Sequence, residues 1–351
     1  MTSFPLSSFT IGLAIIGGLL IAVLVAWNTW TTRRNTPRQA QPPGVGTPAS
    51  AAIDPLLERN EPVFDTDPVP MPLPTPDKKP GLDALIDVVA PILLEGLVSG
   101  DAALAAMPTT RRAGSKPFSI EGWNDATDGW EPPHPGQRYS AFQAGVQMAN
   151  RTGALNEIEY SEFVMKAQAF ADAVNGAPEF PEMLHEVARA RELDQFASDH
   201  DAQLSFTLRA RNAAWSPGYV QQNAARLGFV SGVIPGRMVL PAQAPGLPPV
   251  LGLTFDSQAA MAEDPALSAI REVTLSLDVP QVDRSERPFV RMRETALALT
   301  AAMDGVMTDD NGQVIRVEAL DGIGADLEQL YDTLDGRDLS AGSVLARRLF
   351  S

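Results

Sequence analysis

A chain of 351 residues with no cysteine excludes disulfides, zinc fingers and thiol catalysis. Its net charge of −16 and sequence pI near 4.6 argue against nucleic acid as a partner, because neutralising phosphate needs a basic face. Beyond an anchor and a linker, the length leaves room for one large domain or two small ones.

The first predicted element is a membrane span. Phe9 to Trp30 is an uncharged apolar run, and the first charges after it are Arg33 and Arg34. A run of this length crosses a bilayer as a helix, with Trp27 and Trp30 at one interface. No basic residue precedes it, whereas Arg33, Arg34 and Arg38 follow it. The positive-inside rule therefore predicts a single-pass anchor over 1–34, with its N-terminus on the far side of the membrane and the rest of the chain in the cytoplasm. A cleaved signal would need a basic n-region, which Met1 to Ser8 lacks. Ala14, Gly18, Ala22 and Ala26 form a stripe of small residues that would allow self-association through the anchor.

Residues 35–80 read as a disordered, proline-rich linker. Every second residue from Pro68 to Pro76 is proline, which forbids a helix and favours polyproline II. At about 3.1 Å per residue, such a tether reaches on the order of 100 Å. Residues 81–115 read as a short helical lead-in. Within them, Leu82 to Val98 is apolar but interrupted by Asp83, Asp87, Pro91 and Glu95, which suggests a short amphipathic helix and not a second span.

Residues 116–202 read as an additional α/β segment. The pattern predicts a strand at Pro117 to Trp123, a helix at Ser140 to Asn150 and a helix at Pro181 to Ala197 with Leu184, Val187, Ala188 and Phe196 on one face. Phe163, Phe170 and Phe196 are of the kind used for burial. Ala202 to Ala210 alternates cleanly, so Phe206 and Leu208 should face a core while Ser205, Thr207 and Arg209 stay wet. Ser216 and Pro217 open a helix that Gly228 closes. Strands follow at Phe229 to Leu240, Val250 to Phe255 and Glu272 to Val279, then a helix at Pro288 to Met303. A turn at Asp310–Asn311–Gly312 leads to a strand at Gln313 to Val317. Asp326 to Leu334 and Ala341 to Phe350 read as helices. Asp194-x-x-x-Ser198 against Asp304-x-x-x-Thr308, and Arg151–Thr152–Gly153 against Arg226–Leu227–Gly228, suggest a weak internal repeat.

Catalytic signals are sparse. His134, His185 and His200 are the only histidines and have no ligand spacing; His200, in an acidic turn, reads as solvated. Gly322-x-Gly324 lacks the context of a dinucleotide fingerprint. Glu286, Asp309, Asp310 and Asp321 fall at turns and helix starts, where carboxylates cap. No cofactor, metal or catalytic group is expected.

This order of elements resembles the ZipA family of bacterial cell-division proteins. The resemblance rests on the helix ending Ala225–Arg226–Leu227–Gly228–Phe229, the strand Val273 to Pro280 with its Val-Pro end, and the helix Phe289 to Asp310 with its acidic turn. It covers about Gln203 to Val317 and makes 203–351 a ZipA-like domain. It implies an α+β fold, a split β-α-β antiparallel sheet with helices on one face, here with room for a duplicated unit. It also implies septation as the process, the FtsZ C-terminal peptide as partner and the division site of the inner membrane as location. The peptide would meet the open sheet face at Ser205, Thr207, Arg209, Thr254, Thr274 and Ser276, with Val233 and Met238 as apolar rim contacts. The family shows a more apolar face there. A membrane-anchored scaffold for another envelope or division protein, and an anchored enzyme of unrecognised type, are the other classes.

Overall fold

The computed structural model describes residues 37–40 and 81–351. The expected span Phe9 to Trp30, its small-residue stripe and all of the linker except residues 37–40 lie outside the described residues. Among the described residues, no helix is long and apolar enough to cross a membrane.

The chain is mixed α+β, with antiparallel sheets, and divides into two units. An early unit holds residues 81–203, Asp278–Pro288 and Asp321–Ser351; a late unit holds residues 37–40, Leu204–Leu277 and Phe289–Leu320. The sequence from 203 onward is thus shared between the two.

In the early unit, β1 (Asp87–Ser99) leads through α1 (Gly100–Ala106) to β2 (Arg112–Ala113), β3 (Lys116–Asn124), β4 (Gly129–Glu131) and β5 (Arg138–Gln147). The small hairpin β6 (Ala149–Asn150) and β7 (Gly153–Ala154) precedes α2 (Glu157–Ala173), β8 (Gly176–Pro178) and α3 (Met183–His200). The sheet order is β2-β3-β5-β1-β8, with β4 on β3. Two predicted helices are strands here. Leu82 to Val98 contains Pro91, which a helix interior rejects, and Val88, Ala90 and Ile92 are buried at alternate positions. Ser140 to Asn150 alternates likewise, with Phe142, Ala144 and Val146 buried. Phe163 and Phe170 of α2 lie edge-on to Phe118 and Phe142, 6.1 and 5.1 Å between ring centres. Asn156 and Glu159 form a full capping box at the start of α2. In α3 the buried stripe is Val187, Ala190, Leu193 and Phe196, so Leu184 and Ala188 of the predicted face point outward.

In the late unit, β9 (Gln203–Ala210) leads through α4 (Pro217–Ala225) to β10 (Val230–Ser231), β11 (Arg237–Leu240) and β12 (Leu251–Thr254). Then come α5 (Ser257–Ala260), β13 (Glu272–Asp278), α6 (Pro288–Met303) and β14 (Gly305–Thr308), in sheet order β10-β11-β12-β13-β9-β14. Ser216 caps α4 and Pro217 occupies its first turn. Phe206, Leu208, Leu253, Leu275 and Leu277 are all buried, as are Val220 and Ala224 of α4 and Met292, Ala296, Leu299 and Met303 of α6. The expected strand Phe229 to Leu240 is a hairpin, broken at Gly236 (φ +77°), where a Cβ would press on the Phe255 carbonyl. The strand expected at Gln313 to Val317 is only a bridge from Val314 to Thr308; the strand itself precedes the turn.

The chain ends in α7 (Ala319–Asp335) and α8 (Val344–Leu349), the latter capped by Ser343 and shorter than expected.

The two sheets share a topology. In each, the first strand runs between two strands joined through a long helix: β1 between β5 and β8, joined through α2, and β9 between β13 and β14, joined through α6. In each, a helix follows the first strand, and a meander then builds the sheet from its far edge inward to that strand. The short sequence matches do not mark this repeat. Ser198 lies inside α3, Thr308 ends a strand, and Arg151–Thr152–Gly153 is a hairpin turn and not a helix end.

Candidate functional site: two open sheet faces

Strand parity brings most of the expected site residues of the late unit onto one face. Arg237, Thr254 and Thr274 form one cross-strand row; Val239, Gly252 and Ser276 form the next. Arg209 stands beside Val306 of β14 and forms an ion pair with Glu272 at 3.5 Å. Thr207 lies beside Thr308, whose hydroxyl donates to the Thr207 carbonyl at 3.1 Å. The Ser205 hydroxyl donates to Asp310 at 2.8 Å, and that of Ser276 to the Gly252 carbonyl at 3.4 Å. A shallow hollow of about 410 Å³ opens beside Thr254 and Thr274, with Asp256, Arg271 and Glu272 on its walls.

Two of the expected contacts are not on this face. Met238 pairs with Leu253, which pairs with Leu275, so all three point into the core and Met238 is buried. Val233 is fully exposed at the tip of the β10–β11 hairpin. The face is therefore polar, and the hydroxyls of Ser205, Ser276 and Thr308 are engaged within it. It offers little area for apolar contact.

The early unit presents the opposite character on the side away from its buried aromatics. One cross-strand row runs Ala177, Leu93, Ala141, Trp123 and Trp130, over strands β8, β1, β5, β3 and β4. Five strands at about 4.8 Å spacing make a row roughly 19 Å long. Leu93 is 55% exposed; Trp123 and Trp130 are half-buried and meet edge to face, 5.4 Å apart. Pro91 and Leu97 add exposed apolar surface from β1. The other end of this face is closed by the chain itself. Leu82 lies over Gly145, and Glu121 accepts from the Leu82 N–H at 3.1 Å and from Gln143 at 2.8 Å. These residues escaped the sequence reading because two of their strands read as helices. Alternation at Phe142, Ala144 and Val146, and Pro91 inside the run, were the signals available.

The buried charges of the early unit have structural partners. Lys116 is fully buried and donates to Asn150 (2.7 Å), Thr152 (3.2 Å) and the Gly153 carbonyl. Burial lowers its pKa, with the Glu159 charge opposing. Burial pushes the Glu159 carboxyl up, but hydrogen bonds from Ser115 and Asn156 outweigh that and hold it below the usual range. This lysine ties the β6–β7 hairpin to β3. Arg151 holds Asp201 and Asp278 at 2.6 and 2.8 Å. His200 is not free in solvent: its ring stacks on Phe196 at 4.3 Å and Nδ1 meets the Phe196 carbonyl at 2.7 Å. Asp309 accepts from the Gln313 N–H at 2.7 Å within its turn. No protein-family model matches this chain, and no curated protein matches it.

Proposed function

We propose that the chain is a membrane-anchored, non-enzymatic division protein that binds the C-terminal tail of FtsZ and tethers FtsZ polymers to the cytoplasmic face of the inner membrane. The reading rests on the ZipA-like order of elements over Gln203 to Val317 and on the expected anchor. The two units read as split β-α-β folds, each with its first strand inserted between the two strands of a β-α-β crossover. The observation that carries peptide binding is the apolar row Leu93–Ala141–Trp123. An extended segment of about six residues matches its length, and its side chains supply apolar contact that the hydroxyl-lined face of the late unit lacks.

A short peptide in a shallow groove buries little area, so the expected affinity is micromolar, about 8 kcal/mol. Both partners being acidic, salt should change it only weakly. Titration of a labelled FtsZ tail peptide, followed by anisotropy, tests this. Leu93→Glu should weaken binding about tenfold or more and leave the melting temperature unchanged, because a charge is cheap at an exposed position and costly once covered. Thr274→Glu and Ser276→Glu should then have little effect. Loss of binding in the latter pair alone would move the peptide to the late unit's face. No binding by the parent chain would remove the FtsZ reading and leave the scaffold for another envelope or division protein.

A further inference from the structure

Residues 37–40 are seated on the late unit by specific contacts. The Arg38 N–H donates to the Ala214 carbonyl at 2.7 Å, and the Ser216 N–H donates to the Arg38 carbonyl at 2.9 Å. Arg38 thereby pairs in parallel with Trp215, whose own backbone is paired antiparallel with Ile270 through two bonds of 2.8 Å. The result is a three-rung strip of extended chain in the order Arg38, Trp215, Ile270. The Arg38 guanidinium reaches the end of α6, donating to the Met303 carbonyl at 3.3 Å and to the Asp304 carboxylate at 3.0 Å.

The receiving slot has chemistry suited to this occupant. Its floor is Trp215, fully buried, with its indole N–H held by the Met303 carbonyl at 2.8 Å. Its edge offers one backbone acceptor, Ala214, and one donor, Ser216, spaced for an extended peptide. Its far wall is the C-terminus of α6, where the Met303 carbonyl accepts from both Trp215 and Arg38, and Asp304 beside it adds a negative charge; both favour a cation. Asp304 is held there in a left-handed conformation (φ +55°), and Asn212 donates to the same carboxylate oxygen at 3.2 Å. A planar guanidinium with several N–H groups can satisfy a carbonyl and a carboxylate together, which a lysine cannot do as well.

We infer that this slot is a docking site for an extended, arginine-bearing peptide, and that the chain fills it in cis with Pro37–Ala40. Docking clasps the chain just beyond Arg33 and Arg34 onto the late unit. Between Arg34 and Arg38 the chain reaches no more than about 14 Å. A docked clasp therefore holds the late unit close to those arginines. The inference does not depend on which sheet face binds a partner.

The absence of cysteine makes a clean test possible in the full-length protein, in detergent micelles. A Cβ at Gly218 would lie 3.7 Å from the Cβ of Ala40, within disulfide range. The pair Ala40→Cys/Gly218→Cys should form an intramolecular disulfide under mild oxidation at least tenfold faster than the control pair Ser50→Cys/Gly218→Cys. Arg38→Glu added to the first pair should remove that advantage. In the cysteine-free chain, Arg38→Glu should speed hydrogen exchange at the Ser216 amide at least tenfold. The Trp215 and Ile270 amides, bonded to each other, should keep their protection. A rate equal to the control pair, a disulfide found only between two chains, or an unchanged Ser216 amide would overturn the inference.

Discussion

Replacing Arg348 with methionine should destabilise the early unit by about 3 kcal/mol at pH 7, and the loss should shrink as the pH falls. Asp87 is almost wholly buried, and Arg348 holds it at 2.5 Å while also donating to the Gly81 carbonyl at 3.1 Å. Methionine keeps the unbranched apolar stem but leaves the carboxylate with only the Asp83 N–H, at 2.9 Å. Burial already raises the Asp87 pKa above the ordinary 3.8, against the opposing pull of Arg348. Without the arginine it rises further. A carboxyl whose folded pKa lies above its unfolded value takes up a proton on folding, so protonation favours the fold. The deficit is therefore full at neutral pH, diminishes as pH falls through the folded-state pKa, and is gone below about 3.8, where both states are protonated. Urea unfolding at pH 7, 6 and 5 measures the trend. On an Asp87→Asn background the same change should cost much less. An equal cost at every pH, or on both backgrounds, would mean that Arg348 acts by packing and not by charge.

Trp215→Ala should cost roughly 4 kcal/mol in the late unit, the middle of the range for truncating a buried aromatic. The ring is fully buried beside Gly305, where an added Cβ would meet it at 3.4 Å, and its N–H holds Met303. Trp215→Phe retains most of the volume and loses that bond and part of the ring packing, so a smaller cost of about 2 kcal/mol is expected. Hydrogen exchange distinguishes the units: amides of α4 and α6 should lose protection in Trp215→Ala, and those of β1 and β5 should keep theirs. Uniform loss across both sheets would show that the two units unfold together.

The late unit was the more legible in sequence, for physical reasons. β9 alternates apolar and polar over eight residues, α4 has a capping serine and a first-turn proline, and α6 runs from Pro288 to Met303 as expected. Each carries its period or its cap locally. The early unit's β5 does not. Ala141, Ala144 and Gly145 are small because the sheet is packed tightly there, with Leu82 lying on Gly145, and small residues spaced three apart look helical in isolation. The same limit applies to the site. Ser205, Thr207, Arg209, Thr254, Thr274 and Ser276 share a face because their strands alternate. Met238 was misassigned because β11 is only four residues long, so its parity is set by pairing with Leu253 and not by its own pattern. Pro91 and the alternation of β5 marked two strands of the apolar row, but the row itself exists only once β8, β1, β5, β3 and β4 are aligned.

The insertion of each first strand between two later ones has a bearing on synthesis. β9 gains its β14 partner only when residues about 101 positions further along are available, and high sequence separation slows such closure. The early unit waits longer still. Its Asp87 carboxylate meets Arg348 across 261 residues, and Asp278–Pro288 and Asp321–Ser351 belong to it. The unit that leaves the ribosome first is thus the last to be completed. A nascent chain or a C-terminal truncation lacking Arg348 carries an unpaired buried carboxylate in the early unit, while the late unit's sheet is already fully encoded by Thr308. Completion of the early unit therefore depends on α8, far in sequence from the strand β1 that its Arg348 holds.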